Sequence, residues 1–263
     1  PRKNELTTDE ALRICDQMPS LLIQEVDFTG GEPLLRPDLY QIALRLKELK
    51  ITTGIVTNGV ALDQKNISKL KESGISHVAV SVDGIGSTHD FIRGQDGLYD
   101  RILGNIGALL KEEMPATVIT TVTKLNIDEL PVLYETLLDI GIARWRPQPL
   151  IVSGRAEASS ELLIDEETFL KLADFYQEWA NRDGMEILRA DGLGYFLKSD
   201  PSPRHWYGCP AGLVAMGITS DGKVKGCLSL PDEFTEGDLR QNDLWDIWFD
   251  EASFPYARNF SKE

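Results

Sequence analysis

Three things are scarce in this chain, and each scarcity excludes something. Cysteine occurs three times, as Cys15, Cys209 and Cys227. That is too few for a disulfide framework, and it suits a reducing cytoplasm. No apolar run approaches the roughly 20 residues a membrane helix needs, and no basic-then-apolar leader opens the sequence, so a membrane is not expected as a partner. Basic residues are outnumbered, 27 Lys and Arg against 42 Asp and Glu, for a formal charge of −15. A phosphate backbone would meet repulsion from that surplus, which argues against nucleic acid. What is present is ordinary globular material: 263 residues, 42% hydrophobic and 26% charged, enough to bury a core in one large domain or two modest ones. The sequence opens on Pro1 rather than Met and closes on Asn259 to Glu263 with no obvious stop. Both ends read as cuts through a longer protein.

The first two-thirds alternate short β-type runs with amphipathic helical runs. Leu6 to Glu10 reads as a helix start, with Thr or Asp as cap and acidic groups near the positive helix end, followed by Ala11, Leu12, Cys15 and Met18 facing inward. Strands are expected at 24–29, 51–57, 77–83, 116–123 and 144–150, and helices at 37–49, 64–73, 98–111 and 127–140. The strand at 77–83 is the clearest, with Val78, Val80 and Val82 on one face and Ala79, Ser81 and Asp83 on the other. Units of about 25 to 35 residues indicate a parallel sheet with crossover helices. Five strands suit an open or partial barrel better than a complete eight-stranded one. After about Gly154 the rhythm changes to a long helix at 165–182, a strand at 185–190, and a stretch rich in Gly, Pro and aromatics over 191–212. A hairpin then turns at Ser220-Asp221-Gly222-Lys223, since Asp-Gly flanked by apolar alternation is a strong hairpin signal. A short helical turn at 244–249 follows.

Sites in parallel α/β folds gather at the carboxyl ends of strands. Polar or glycine-rich residues follow each of the five: Thr29-Gly30-Gly31-Glu32-Pro33, Thr57-Asn58-Gly59, Ser81-Val82-Asp83-Gly84, Thr121 with Thr123, and Gln148 with Gly154-Arg155. Such a set would form a cup for a small polar ligand. Asn-Gly and Asp-Gly are also common turn dipeptides, Gly30-Gly31 would equally permit a tight turn, and Glu32 alone reads as a solvated charge.

In order and spacing, Gly30-Gly31-Glu32-Pro33, Thr57-Asn58-Gly59, Ser81-Val82-Asp83-Gly84 and His89-Asp90-Phe91-Ile92-Arg93-Gly94 resemble the motifs of radical S-adenosylmethionine (SAM) enzymes. The resemblance continues through Gln148-Pro149-Leu150 and Gly154-Arg155-Ala156. Cys209, Gly222 and Cys227 resemble the opening half of a SPASM or twitch domain, which binds auxiliary iron–sulfur clusters. The resemblance implies a partial (β/α)6-type TIM-like barrel followed by a small, truncated α+β SPASM/twitch domain. It also implies that Gly30, Gly31 and Glu32 contact the methionine amine of SAM, with Pro33 in the same cofactor-binding motif. Ser81 and Asp83 would meet its ribose or methionine end, and Asn58 and Arg93 would line the same cleft, Arg93 pairing with the methionine carboxylate. Thr123, Gln148 and Leu150 would form the adenine-side wall. Cys209 and Cys227 would be metal ligands.

One departure accompanies the match. Such enzymes hold a catalytic [4Fe–4S] cluster on a CxxxCxxC loop, and no such loop occurs here. Cys15, on the apolar face of a helix, reads as a core residue and not as a substitute. The auxiliary set is expected to be incomplete as well. His205, four residues before Cys209, also admits a His/Cys zinc site, though with only three candidate ligands.

The expected organisation is therefore a partial radical SAM barrel over 1–157, a connecting helix and linker over 158–205, and a truncated auxiliary-cluster region over 206–263. The expected function, belonging to the full-length parent because this sequence lacks the catalytic cluster ligands, is that of a cytoplasmic enzyme whose SAM-derived radical abstracts hydrogen from a peptide, with flavodoxin or ferredoxin as reductant. Alternative substrates are a tetrapyrrole or another cofactor precursor. Alternative classes are a cluster-free scaffold or binding module, or a phosphate-binding α/β barrel.

Overall fold

The structure, a computed structural model, describes residues 4–151, 159, 161–190, 193 and 208–259. The segment Gly154-Arg155-Ala156, most of the linker over 191–207, and His205 lie outside the described residues. The chain forms two compact units, one of Pro1–Gly54, Ser73–Ile75 and Cys209–Glu263, the other of Ile55–Glu72 and Ser76–Gly208.

In chain order the elements begin with α1 (Thr8–Gln17), β1 (Glu25–Phe28), α2 (Leu39–Glu48), β2 (Thr52–Thr57), α3 (Gln64–Ser73) and β3 (Ile75–Ser81). There follow α4 (Ser87–Arg93), α5 (Leu98–Lys111), β4 (Ala116–Val122), α6 (Leu130–Asp139), β5 (Arg144–Pro149), α7 (Glu166–Trp179) and β6 (Glu186–Ile187). The last elements are β7 (Gly217–Ile218), β8 (Lys223–Lys225), β9 (Gly237–Asp238), α8 (Leu244–Phe249) and α9 (Pro255–Arg258). Strands β1 to β6 make one sheet in chain order. The pairs β3–β4, β4–β5 and β5–β6 are parallel. This is an α/β fold of the partial TIM-like barrel type. The strand that the sequence separated from the βα series is its sixth member, β6, pairing Arg144 with Glu186 and Trp145 with Ile187.

In the second unit the valines of β3 do what their alternation requires. Val78, Val80 and Val82 are fully buried, with Ile102 and Ile106 of α5 and Val118 of β4. Tyr134–Trp179 and Trp145–Phe175 meet edge-on, at centroid distances of 5.0 and 5.6 Å, and Phe175 stacks on Trp179 at 5.4 Å, arrangements that aromatic quadrupoles favour over a face-to-face sandwich. The Tyr176 hydroxyl shares its one proton between the carbonyls of Pro147 and Leu188, tying α7 to β5 and to the chain after β6.

In the first unit α1 starts where its capping box lies. Thr7 Oγ1 accepts the N–H of Glu10, and the Glu10 carboxylate accepts the N–H of Thr7. Arg240 closes on the same carboxylate at 2.7 Å. These hydrogen bonds hold the Glu10 carboxyl down at about 2. One apolar core joins Ile14, Cys15 and Met18 with Ile42 and Leu46 of α2, Val224 of β8, Leu239, Leu244 and Ile247 of α8, and Phe254. Residues far apart in sequence therefore share a single core, which buries more apolar surface than either segment could bury alone. Strand β9 had no sequence signal; its two residues pair with β8 through Lys223–Asp238 and Val224–Gly237, and Lys223 Nζ lies 2.6 Å from Asp238 Oδ2.

Candidate functional site

The second unit carries a polar network where β3 and β4 end. Asp83 is 1% exposed and would be costly to bury as an unpaired carboxylate. Its Oδ1 accepts the N–H of Thr121 at 2.8 Å, and its Oδ2 lies 2.6 Å from Nη2 of Arg93. Its own N–H donates to Nδ1 of His89 at 2.9 Å. Asn126 closes the network, donating from Nδ2 to the carbonyls of Asp83 and Thr121 and accepting the N–H of Thr123 at Oδ1. Glu129 accepts the N–H of Ile85 and the hydroxyl proton of Thr88, fixing the turn that leads into α4. Gly84, at φ +123, leaves no room there for a side chain beside Glu129 and Thr88.

Helix α4 thus presents Arg93 to a buried acid while the Arg93 side chain as a whole stays 27% exposed. Among the described residues, Arg93 Nε and His89 Nε2 are buried without hydrogen-bond partners. Desolvation holds the His89 imidazole below its usual range, against the neighbouring Asp83 and Asp90 and with help from Arg93.

The other expected residues divide by accessibility. Ser81, Asn58, Gln148 and Leu150 are partly exposed at their strand ends. Asn58 Oδ1 accepts the N–H of Val60. Gly59 sits at φ +77, where a Cβ would meet Val80 Cγ1 at 2.8 Å and Ile102 Cδ1 at 2.9 Å, so the Thr57-Asn58-Gly59 exit has a packing reason for its glycine. Thr123 is buried, its hydroxyl accepting the N–H of Leu125. In the first unit Gly30 takes φ +126. Glu32 caps the short 3-10 turn Pro33–Leu35 by accepting the N–H of Leu34, while Pro33 is buried at its start. The sequence quoted His89 only within a motif and singled out neither Asn126 nor Glu129. Asn126 reaches Asp83 across 43 positions, a separation no local pattern discloses.

Two cysteine-bearing turns lie in the first unit. Cys227 follows β8 after Gly226; its Sγ accepts the N–H of Ser229 at 3.4 Å. The loop is pinned by the buried Lys225, whose Nζ donates to the Leu230 carbonyl and pairs with Asp232. A Cβ on Gly226 would strike Tyr256 Oη and come within 3.1 Å of Gly212 N, so the turn that follows Cys209 packs against the residue preceding Cys227. Arg258 holds that turn through the Gly212 carbonyl. Cys209 is exposed and Cys227 partly so. An accessible thiol that accepts a backbone N–H is suited to serve as a thiolate ligand. Cys15 is not: burial pushes its thiol up to about 11. Among the described residues no cysteine belongs to a convergent group of three ligand-type side chains. The residues present fit two ligands of an auxiliary cluster and do not supply a catalytic one. For a cofactor bearing an amino-acid carboxylate, the part-exposed Arg93 with its unpaired Nε fits.

The family model "Radical SAM superfamily" matches residues 1–137, and the model "Iron-sulfur cluster-binding domain" (SPASM) matches residues 209–262. An AdoMet-dependent heme synthase of Methanosarcina barkeri is 27% identical over 97% of this chain and 76% of its own length. A PqqA peptide cyclase of Rhizobium meliloti is 25% identical over 96% of this chain and 68% of its own. Among solved structures, Streptococcus suis SuiB bound to S-adenosylmethionine superposes with a TM-score of 0.76 at 19% identity, over 99% of this chain and 62% of SuiB. That likeness is one of fold, and the chain spans about three-fifths of the SuiB length.

Proposed function

The chain belongs to the radical SAM superfamily, and from that premise we propose that it is the SAM-binding and part of the auxiliary-cluster-binding portion of a peptide-modifying enzyme. The observation that carries the reading is Arg93, a partly exposed cation locked by Asp83 at 2.6 Å where β3 ends. Bound SAM, with a catalytic cluster whose CxxxCxxC ligands this sequence does not contain, would supply the radical chemistry for hydrogen-atom abstraction from the substrate. The chain's own residues bind and orient. Arg93 holds the methionine carboxylate, Gly30, Gly31 and Glu32 receive its ammonium with Pro33 behind them, and Ser81 meets the ribose hydroxyls. Asn58, Thr123, Gln148 and Leu150 shape the cleft, and Asp83 acts by holding Arg93. Cys209 and Cys227 ligate an auxiliary cluster. By role, residues 1–157 form the SAM-binding part, 158–205 a connector and 206–263 the auxiliary-cluster part. A flavodoxin or ferredoxin is the proposed reductant, and the cytoplasm the proposed location; among the described residues no helix is long and apolar enough to cross a membrane.

The PqqA peptide cyclases, matched over nearly the whole chain, support a peptide substrate. So does the −15 charge, which would oppose approach of a multiply anionic tetrapyrrole. A tetrapyrrole is the second reading, favoured by three heme synthases matched over 94–97% of the chain.

The test is anaerobic reconstitution, with iron and sulfide, of the full-length gene product, since the sequence here has no CxxxCxxC loop, followed by reduction and measurement of 5′-deoxyadenosine. Release stimulated by a peptide, with deuterium carried from labelled peptide into 5′-deoxyadenosine, supports the first reading; transfer from a labelled tetrapyrrole replaces it with the second. No release from a cluster-loaded protein would overturn both.

A further inference from the structure

Two side chains on α4, four residues apart, flank Asp83: His89 is buried and Arg93 is partly exposed. Arg93 takes one carboxylate oxygen, and His89 takes the backbone N–H. A backbone N–H can only donate, so Nδ1 of His89 must present its lone pair, and the neutral ring then carries its proton on Nε2. His89 is 1% exposed, so it is placed to act through its neighbours and not on a ligand.

We propose that His89 is the positioning residue of this site: its Nδ1, set against the Asp83 N–H, fixes the Ser81–Asp83 strand exit and, through Asp83, the direction of the Arg93 guanidinium. The inference rests on the reading of Arg93 as the carboxylate-binding cation. The physical chain is short. Without an acceptor the Asp83 N–H is a buried donor left unsatisfied, and the backbone moves to find one. The Asp83 carboxylate moves with it, and Arg93, held at 2.6 Å, follows. Small misplacements of an orienting group reduce affinity and reactivity well beyond their size. Protonation of His89 has the same effect, because it replaces the acceptor by a second N–H.

Two near-isosteres separate the ring nitrogens. His89→Asn places a carbonyl oxygen where Nδ1 was; His89→Gln reaches the Nε2 position and leaves the Nδ1 position without an acceptor. The experiment measures SAM dissociation constants by calorimetry on the full-length, cluster-reconstituted gene product, with Arg93→Gln as reference and circular dichroism to establish that each variant folds. The proposal expects His89→Asn within about three-fold of the unaltered protein and His89→Gln weaker by roughly ten-fold, the scale of one unsatisfied buried donor. Retained affinity in His89→Gln with loss in His89→Asn overturns it, as does equal behaviour of the two. If Arg93→Gln binds SAM normally, the carboxylate-site reading itself fails; if it weakens while both His89 variants bind normally, only the His89 proposal fails. A second readout needs no cofactor: nitrogen-15 imidazole spectra of the apoprotein should show Nε2 protonated and Nδ1 bare, and the opposite tautomer overturns the proposal.

Discussion

Oδ2 of Asp83 and Nη2 of Arg93 stand 2.6 Å apart, the acid 2% exposed and the base 27%. That asymmetry defines the pair. The carboxylate is fully committed inside the protein, with Thr121 N–H on its other oxygen, whereas the Arg93 side chain keeps part of its surface toward solvent. A cation held this way is pre-oriented for an anion, and the ordering is complete before any ligand arrives.

Replacing Asp83 with Asn keeps an acceptor for Thr121 and removes the counter-charge of Arg93. Stability should fall by about 1–3 kcal/mol, less than for a fully buried pair because Arg93 is part-solvated. SAM affinity should fall by about ten-fold, the size expected for weakening one charge-assisted contact. Urea denaturation and calorimetric titration measure the two; an unchanged affinity removes Asp83 from the site.

Acid should weaken this network through His89. Burial and Arg93 oppose its protonation, Asp83 and Asp90 favour it, and the balance lowers its affinity for the proton; the nearest facing ring is Tyr99 of α5, at 6.1 Å between centroids. In the unfolded chain His89 titrates near the ordinary value of about 6.5. Below that pH the unfolded state binds the extra proton more readily than the folded one, so stability present above about 6.5 is lost as pH falls toward the lower folded value. Unfolding curves at pH 7.5 and 5.5 should show this loss, and His89→Asn should show less of it.

Gly59→Ala should destabilise by roughly 2–4 kcal/mol, combining a left-handed backbone at φ +77 with overlap on Val80 and Ile102. Thermal denaturation checks it. A neutral substitution would mean the strand exit relaxes freely.

Leu244 is fully buried in the core that joins the N-terminal helices to the cysteine-bearing segment. Leu244→Ala should cost about 2–5 kcal/mol. Because the core is shared, hydrogen exchange should quicken in α1 and α2 as well as around β8. Acceleration confined to residues 209–259 would contradict a single cooperative core.

Gly226→Ala should disturb the auxiliary site without touching a cysteine, since its Cβ collides with Tyr256 and crowds Gly212 N. Bound iron per reconstituted chain should drop toward that of Cys227→Ala. Iron content equal to the unaltered protein would show that the two cysteine turns do not depend on this contact.

Most of the fold was legible in the sequence because periodicity and caps are local. The 64–73 and 98–111 helices emerge at the expected bounds as α3 and α5. The Asp221-Gly222 turn joins β7 to β8, with Gly222 at φ +87. The strand expected over 185–190 emerges as the short β6, whereas the two-residue β9 is too short for a pattern and exists because β8 supplies its hydrogen bonds. The motifs, too, stood in plain order along the chain. The structure alone decided which motif residues face solvent and which are held inside. Asp83 is sealed by Thr121, His89, Asn126 and Arg93, contacts spanning 6 to 43 positions. It also decided that residues 209–259 share a core with α1 and α2. Local sequence specifies what each segment prefers. Burying a carboxylate, or enough apolar surface to stabilise a small unit, needs partners that only the folded chain brings together.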